Sequence, residues 1–506
     1  MRKKRLMYNT LSALTFQLTT LVCGFILPRL ILQKFGSETN GLVNSISQFL
    51  NVIAFLELGV GSVVQSSLYK PLASKDNEQI SRIVSSAGKF FKKLAFILLW
   101  YVIFLVCFYP SIVHTNESWI NTVLLILAIS ISYFAQYYFG AVNRLLLNAS
   151  QLGFINYTTQ TITLIANTAV CAVLIHLGFS IQVIKLTTSL IFLLRPLVLK
   201  LYVDRHYEIN RRIQYSEEPI KQKWNGLAQH IAAIVLDGTD SIVLTMFSSL
   251  ANVSIYGVYH LVVHGVRQIF VYMVSGVQAL LGDMWARNEH KELHTFFGQY
   301  EWIIHTVTVF IFSCTGALII PFVQVYTKGI TDTNYIQPLF GALLTVAQAV
   351  FCLRIPYNNM VLAAGHFKQT QRCYYISAFV NIVLSVITVV KFGLVGVAIG
   401  TLVAMIYQTI WMIFYNAKNL LKWPLKTTAK QVSIDIVEVV MIALIVGLLK
   451  MGQISYSHWI VLALKVAACS FLCILLINMV FYRKYVTMYT KKFLNVIRKI
   501  TAIRQS

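Results

Sequence analysis

Three arginines of this sequence lie inside otherwise apolar runs, and their chemistry stands out first. Arg29 directly follows Pro28, Arg267 shares its run with two histidines, and Arg354 precedes Pro356 by two residues. A charge inside a hydrophobic span is costly in lipid, so it normally faces a protein interior or a water-filled path. Guanidinium groups in such a path bind phosphate oxygens through paired, charge-assisted hydrogen bonds. The three arginines therefore predict a transport cavity for an anionic substrate.

Acidic side chains also fall inside apolar runs, at Glu57, Asp237 and Asp240. A buried acid is a usual place for a proton or sodium ion to enter a transport cycle. At about 1.5 Å per residue, Asp237 and His264 lie about 16 Å from the predicted outer helix ends and Arg267 about 21 Å, so contact between them is possible. We predict ion coupling at the three acids. The structural alternatives are a fixed Asp237–Arg267 pair and a Glu57 that only holds a neighbouring helix.

Polar side chains at helical spacing form a third group, and each set falls on one face of its predicted helix. Such faces predict a hydrated cavity lining. The His260–His264 pair has a spacing that could also bind zinc, but a cavity lining is favoured, and we predict no metal, cofactor or catalytic residue. The lining candidates are Asn44, Gln48 and Asn51 in one run, Tyr256, His260, His264 and Gln268 in a second, and Asn358 in a third.

The elements that position these residues are membrane helices. Of the 506 residues 57% are hydrophobic and 12% are charged, whereas soluble proteins have about 25% charged residues. The apolar runs, at roughly 18–28 residues each, are long enough to cross a bilayer, and the first is too long for a cleaved signal. The eight cysteines have no paired spacing and are expected to be small core residues. We predict an all-α polytopic fold of about fourteen spans, approximately residues 9–32, 41–68, 90–110, 118–142, 153–177, 180–203, 226–248, 253–282, 297–322, 336–362, 369–391, 394–416, 432–450 and 458–481.

The distribution of basic residues predicts the orientation. Most of the 42 lysines and arginines fall at the start, in alternate connections and in the tail, while the other connections hold only Lys34, Lys328, Lys391 and Lys450. Basic connections stay on the cytoplasmic side, so both termini are predicted to be cytoplasmic. The net charge of +24 is then explained by anionic lipid rather than by nucleic acid.

An internal repeat predicts the domain organisation. The turn from residue 146 to 151 matches residues 361 to 366, and Leu177-Gly178 matches Phe392-Gly393, at the same offset of 215 residues. Six spans separate the copies, which predicts a parallel repeat with a cleft between two lobes and alternating access by rocking of one lobe against the other. The predicted parts are a six-helix lobe at 1–203, a cytoplasmic linker at 204–225, a second six-helix lobe at 226–416, two further spans at 417–481 and a basic tail at 482–506.

Four segments carry a family resemblance, and they are LPRLILQKFGSETNGLVNSISQFL, SLYKPLASKDNEQI, RLLLNASQLGFINYTTQ and RIPYNNMVLAAGHFKQTQ. In this order they resemble the Wzx-type flippases, a branch of the multidrug/oligosaccharidyl-lipid/polysaccharide (MOP) exporter superfamily. The resemblance implies movement of an undecaprenyl-diphosphate-linked oligosaccharide from the inner to the outer leaflet of a bacterial plasma membrane, for capsule, O-antigen or similar polysaccharide. For such a substrate, the resemblance implies that Arg29, Arg267 and Arg354 bind the diphosphate and that the polar lining candidates bind the sugar. It also implies membrane lipids, a polysaccharide polymerase and glycosyltransferases as partners. Finally, it implies that the last two spans form a groove for the lipid tail.

Some charged residues are weaker candidates by position. Arg144 and Arg195 lie at predicted inner helix ends, where most arginines only anchor the membrane interface. Asp435 and Glu438 lie at another inner end, where we expect them to reach solvent.

Three other functions are alternatives. An enzyme acting on lipid-linked sugars needs room outside the membrane, but the outer connections are short, and nothing resembles a nucleotide-binding glycine loop or a zinc-protease helix. A multidrug exporter for cations of the same superfamily would favour acids over arginines in its cleft. A flippase for lipid-linked peptidoglycan precursors shares every feature discussed so far. The neighbouring genes would best separate these functions.

Overall fold

The computed structural model describes residues 2–113, 115–211, 213, 219–220, 238–274 and 277–491. Within these ranges all the regular structure is helical, which confirms the predicted fold class. The helices of the first part are α1 (Arg2–Asn51), α2 (Ala54–Ser74), α3 (Asn77–Ile112), α4 (Trp119–Ala135), a π-helical turn (Gln136–Gly140), α5 (Ala141–Ala149), α6 (Gly153–His176), α7 (Ile181–His206) and α8 (238–247).

The remaining described helices continue to residue 491. They are α9 (Leu250–Met273), α10 (Val277–Ala286), α11 (His290–Tyr326), α12 (Pro338–Ala363), α13 (Phe367–Phe392), α14 (Leu394–Tyr415) with a second π-helical turn (Asn416–Leu420), α15 (Leu425–Val446), α16 (Tyr456–Phe481) and α17 (483–491).

The first long helix breaks at a glycine. Pro28 lies inside α1, whereas the non-helical backbone is at Gly36, with φ 82° and ψ 177°. Next to this break the backbone N–H of Ser37 donates to Oδ2 of Asp332 at 2.6 Å, and the Ser37 hydroxyl donates to Oδ1 at 2.7 Å. A carboxylate that accepts from the first amides of a helix stabilises that helix start. The break in α1 therefore lies at Gly36, eight residues after Pro28.

Ten of the described helices are long and apolar enough to cross a membrane. Large apolar side chains also cover their outer surfaces; Leu448, Val480 and Trp100 are 82%, 75% and 72% exposed. Such a surface suits acyl chains rather than water. The chain is thus a multi-pass membrane protein. The number of fourteen spans and the cytoplasmic termini stay predictions.

The described residues form two compact units. The first unit comprises Met1–Leu261, Gly329–Asn334 and Tyr374–Gly400, and the second comprises Val262–Lys328, Tyr335–Cys373 and Thr401–Ser506, each without the residues outside the described ranges. Gly178 and Gly393, which the repeat pairs, both have positive φ, at 84° and 51°. The division into lobes, linker, added spans and tail remains a prediction.

The predicted orientation can be tested by labelling single cysteines in a background without the eight native ones. Glu78 lies exposed in the first turn of α3, and Thr331 lies exposed between α11 and α12. We expect a membrane-impermeant maleimide added to intact cells to label Thr331→Cys and to leave Glu78→Cys unlabelled, because the predicted connection at 69–93 is rich in lysine and arginine and stays inside. The reverse pattern would contradict the predicted orientation.

Candidate functional site

The first unit encloses a cavity of about 570 Å³ between α1, α4, α5, α6 and α7. This volume is within the usual range for ligand pockets, about 300–1,000 Å³. Half of its lining residues carry a hydroxyl or an amide group. The polar lining residues without charge are Thr20, Ser47, Asn51, Ser132, Tyr133, Gln136, Tyr137, Asn156, Gln160, Asn167, Thr168, Thr188 and Ser189.

Three basic residues line the same cavity, and we call it the cationic cavity. They are Arg144 from α5 and Lys185 and Arg195 from α7. Nε of Arg195 donates to the Thr163 hydroxyl at 2.7 Å, and its guanidinium carbon lies 3.7 Å from the ring centroid of Phe192. These contacts orient the guanidinium. Among the residues that line the cavity in the described part of the chain, none is acidic.

The sequence of α6 explains one wall of the cationic cavity. Asn156, Gln160 and Asn167 recur at spacings of four and seven residues, which places them on one face of an apolar helix. The side-chain amide of Gln160 donates to Oδ1 of Asn156 at 2.9 Å. Because polar groups are costly in lipid, this face is turned to the interior of the unit. The cationic cavity therefore has a polar wall on the side of α6.

A second wall of the cavity comes from α7, whose polar residues also recur on one face of the helix. Its Thr188 hydroxyl is hydrogen-bonded to Sγ of Cys171 in α6 at 3.3 Å, and its Ser189 hydroxyl donates to the Ala128 carbonyl of α4 at 2.5 Å. These bonds hold α7 against both neighbours. Lys185 and Arg195 are ten residues apart on this helix, so their Cα atoms are about 15 Å apart along the axis.

The π-helical turn keeps the third wall in register. Ser132, Gln136, Gly140 and Arg144 follow each other at four-residue steps and all line the cavity. On an α-helix, steps of four residues advance past a full turn and rotate away from a fixed face. The wider π turn at Gln136–Gly140 offsets this rotation, and such turns are frequent at functional sites. It therefore brings Arg144 onto the cavity.

Arg144 and Arg195, the weaker candidates by position, both line the cationic cavity with Lys185. The sequence did contain a signal. Arg195 and Lys185 lie within apolar runs, and the neighbouring run carries the polar face of Asn156, Gln160 and Asn167. Basic residues in a run beside a polar helical face indicate a cavity. This pattern is a stronger signal than the distance of an arginine from its helix end.

The predicted lining residues of α1 divide between the cavity and helix packing. Asn51 lines the cationic cavity, and Pro28 does so next to the half-buried Arg29. Asn44 instead packs on Gly257 of α9, where an added Cβ would lie 2.7 Å from its amide nitrogen. Gln48 likewise lies near Gly238, 3.8 Å from an added Cβ.

Three further candidates in the first unit lie close together. The Tyr256 hydroxyl donates to Oδ2 of Asp240 at 3.2 Å, and both residues are buried. The ring of His260 stacks on Tyr256 with centroids 5.3 Å apart. Their predicted roles in sugar binding and ion coupling remain predictions.

The second unit holds the other two predicted arginines around one aromatic ring. The guanidinium carbons of Arg267 and Arg354 lie 4.6 Å and 4.8 Å from the centroid of Phe351. Arg267 donates to Oε1 of Gln348 at 3.0 Å, and Arg354 donates to Oε1 of Gln408. Both arginines are buried, at 2% and 6% exposure. Their assignment to the diphosphate remains a prediction.

Five predicted residues remain, and they belong to the second unit or have side chains outside the described part of the chain. The side-chain amide of Gln268 is hydrogen-bonded to Nε2 of His264 at 3.1 Å, and Asn358 is half-buried in α12. Asp237 lies outside the described residues, and so does the side chain of Glu57. Coupling at Asp237, including its contact with His264 or Arg267, therefore stays a prediction.

The expectation that Asp435 and Glu438 reach solvent is wrong, since their side chains are buried at 5% and 1% exposure. Asp435 contacts His305 of α11, and Glu438 contacts Asn478 of α16. Both partners are distant in sequence, so counting residues from a helix end did not identify them.

An apolar groove of about 400 Å³ lies in the second unit between α11 and α16. Its walls are formed by Phe310, Ile311, Cys314, Leu318, Trp459, Ile460, Ala463, Leu464 and Ala467. Such a groove suits a hydrocarbon chain.

The fold is shared with known membrane transporters. The structure is similar to the lipid II flippase MurJ in an inward closed conformation, with a TM-score of 0.73 and 16% identity over 94% of this chain and 100% of that one. It is similar to an inward-facing multidrug resistance MATE family transporter of the MOP superfamily, with a TM-score of 0.59 and 15% identity over 78% of this chain and 94% of the other. The Vibrio cholerae MATE transporter VcmN in the bent form gives a TM-score of 0.51 and 14% identity over 82% and 94%.

No protein-family model and no curated protein sequence matches the chain. At identities this low, the structural likeness establishes the fold, and one fold can serve several functions. The Wzx-type assignment remains a prediction.

Proposed function

We propose that this chain is a flippase that moves an undecaprenyl-diphosphate-linked oligosaccharide from the inner to the outer leaflet of a bacterial plasma membrane. The observation that carries the proposal is the cationic cavity, where Arg144, Lys185 and Arg195 occur without an acid among the described lining residues. Basic side chains inside a membrane protein are costly. An anionic ligand that enters the cavity offsets that cost.

The three chemical parts of such a substrate have matching surfaces. Arginine and lysine bind the diphosphate through charge-assisted hydrogen bonds, and Lys185 and Arg195 provide them along about 15 Å of α7. The amides of Asn156, Gln160 and Asn167 suit sugar hydroxyls. The apolar groove beside α16 suits the prenyl chain, in agreement with the role that the resemblance implies for the last two spans.

Two alternatives differ in how well they fit the cavity. A multidrug exporter for cations would need acidic side chains in the cationic cavity, and its described lining has none. A flippase for lipid-linked peptidoglycan precursors fits equally well, because those precursors carry the same diphosphate and prenyl groups. The fold relative named as a lipid II flippase favours that second candidate.

The experiment uses the purified chain in liposomes with the substrate initially in one leaflet. Three substrates are compared: a prenyl-diphosphate oligosaccharide, lipid II and a cationic dye. We expect protein-dependent movement of the oligosaccharide, measured by its accessibility to an external glycosidase, and no movement of the dye. Movement of the dye alone would contradict the proposal, and movement of lipid II alone would establish the second candidate.

The proposal includes alternating access of two six-helix lobes driven by a proton or sodium gradient. Glycosyltransferases that build the oligosaccharide and a polymerase that uses it outside are the expected partners. The transport mechanism and the expected partners both follow from the resemblance and from the nature of the substrate.

A further inference from the structure

The second unit contains a buried group of acids that the proposed substrate site does not use. We call it the carboxylate cluster. Glu301 and His305 lie one turn apart on α11, and Asp435 and Glu438 lie one turn apart on α15. Their side chains are 1–5% exposed. Three carboxylates in the interior of a membrane protein require a functional or structural explanation.

One pair within the cluster balances its own charge. Nδ1 of His305 lies 2.5 Å from Oδ2 of Asp435, and the side-chain amide of Gln431 donates to Oδ1 of Asp435 at 3.0 Å. An imidazolium beside a carboxylate is neutral overall, and the amide adds a further donor to the acid. This pair therefore leaves two other carboxylates to be compensated.

Glu301 is held by hydroxyl groups from two other helices. Its Oε1 accepts from the Tyr357 hydroxyl of α12 and, at 2.7 Å, from the Thr428 hydroxyl of α15. The indole N–H of Trp423 donates in turn to the Thr428 oxygen at 3.2 Å. Two hydroxyl donors on one oxygen stabilise a carboxylate in its ionised form.

Glu438 has a different environment. Its Oε1 accepts from Nδ2 of Asn478 at 2.5 Å, and the indole N–H of Trp302 donates to Oδ1 of the same asparagine at 2.7 Å. Its second oxygen, Oε2, is buried and has no hydrogen-bond partner among the described residues. Burying an ionised carboxylate with one unsatisfied oxygen costs several kcal/mol, whereas a protonated carboxyl avoids that cost.

No lysine or arginine in the described part of the chain lies within 4 Å of the three carboxylates. Lys430 lies over the Tyr482 ring, with its Nζ 5.3 Å from the ring centroid. The described residues also provide no group of three ligands that could hold a metal ion. The ionisable groups that face the cluster are Glu301 and His305 from α11, Tyr357 from α12, Lys430, Asp435 and Glu438 from α15, and Tyr482 after α16.

We propose that Glu438 is a proton-binding site, and that it releases and rebinds one proton during the transport cycle. The exchange breaks and forms only the O–H bond at Glu438, and the proton passes to and from water. The proton binding itself is independent of the substrate, whereas its link to transport rests on the proposed function. Glu438 is not one of the predicted coupling acids Glu57, Asp237 and Asp240. It joins α11 to the two helices that the predicted repeat leaves out.

Infrared difference spectroscopy of the purified full-length protein tests the proton site without transport. We expect wild type to show the C=O band of a protonated carboxyl that disappears when the protein is moved from acidic to alkaline buffer. Glu438→Gln should lack this band, and Glu292→Gln, in the exposed first turn of α11, should retain it. An unchanged band in Glu438→Gln would overturn the proposal.

A second variant covers the case in which Glu438→Gln does not fold. Asn478→Leu keeps Glu438 but removes the amide that donates to its Oε1. Loss of that hydrogen bond strengthens the C=O bond of the acid, so we expect the band to move to higher frequency. A band at the wild-type frequency would show that it arises from another residue and would overturn the assignment.

The link to transport is tested in liposomes by comparing substrate movement with and without a pH gradient. We expect the gradient to accelerate wild type and Glu292→Gln, and to have no effect on Glu438→Gln, which still moves substrate downhill. Full acceleration of Glu438→Gln would overturn the coupling role. If wild type moves no oligosaccharide at all, the proposed function fails, while the infrared result still decides the proton site.

Discussion

Replacing Arg144 and Arg195 together by glutamine is expected to lower the movement of a diphosphate-linked oligosaccharide by about 1,000-fold. Both guanidinium groups line the cationic cavity, and each would give the diphosphate a hydrogen bond worth about 2 kcal/mol; the combined loss of about 4 kcal/mol corresponds to this factor. Glutamine keeps much of the side-chain volume and polarity. The change therefore removes charge more than packing.

Two comparisons make this result specific. Replacing both arginines by lysine should restore transport only partly, because lysine keeps the charge but lacks the planar pair of donors. Arg82→Gln is the matched control, since Arg82 is paired with Glu78 on the exposed part of α3 and such surface pairs contribute little. Wild-type transport by the Arg144/Arg195 double variant, present in the membrane at the normal level, would show that the cationic cavity does not bind the diphosphate.

Substitution of Gly41 by alanine is expected to prevent most of the protein molecules from folding. A Cβ at this position would lie 1.8 Å from the carbonyl oxygen of Leu250, within the first unit. Backbone atoms cannot move aside as the end of a flexible side chain can, so α1 and α9 would have to separate. Overpacking of this kind costs about 3 kcal/mol or more. The measurement is the yield of monodisperse protein and its melting temperature in detergent.

Gly88→Ala is the control for the change at Gly41. Gly88 also lies within a helix, α3, but no other atom lies within 4 Å of an added Cβ. Since alanine favours a helix over glycine by about 1 kcal/mol, this variant should be as stable as wild type or more so. An unchanged melting temperature for Gly41→Ala would mean that α1 and α9 do not approach as closely as described.

The helical spans could be predicted from the sequence because apolar length is a local property. The position of the break in α1 could not be predicted from the sequence. Proline removes one hydrogen bond and is accommodated inside α1 at Pro28, whereas the break at Gly36 uses positive φ and the carboxylate of Asp332. That carboxylate is 295 residues away in sequence, and no local pattern indicates which distant group stabilises a helix start.

The candidate site was predictable only in part. The presence of cations among polar side chains follows from residue types, and Asn51, a predicted lining residue, lines the cationic cavity. The sequence did not show which basic residues line the cavity, because Arg144 lies on the cavity wall only through a π-helical turn that changes the helical register. Asp435 and Glu438 were misplaced for a related reason, as their partners His305 and Asn478 come from other helices.

Arg267 and Arg354 remain the competing location for the diphosphate. If the diphosphate binds there, replacing both arginines by glutamine should weaken its binding, and transport should depend on the positive charge at these two positions. Because each contacts Phe351 and a glutamine inside the second unit, we expect the double variant instead to lower the melting temperature. Binding and stability measured on the same samples separate the two roles.

The most direct test of the cationic cavity is the equilibrium affinity of the purified protein for a short-chain prenyl-diphosphate oligosaccharide, compared with the same oligosaccharide on a prenol without phosphate. We predict that changing Arg144, Lys185 and Arg195 together to glutamine weakens binding of the diphosphate compound by about 1,000-fold or more, since at least two charge-assisted hydrogen bonds are lost. Weak binding of the neutral compound should not change. Equal affinity of wild type and the triple variant for the diphosphate compound would contradict the assignment of this cavity as the substrate site.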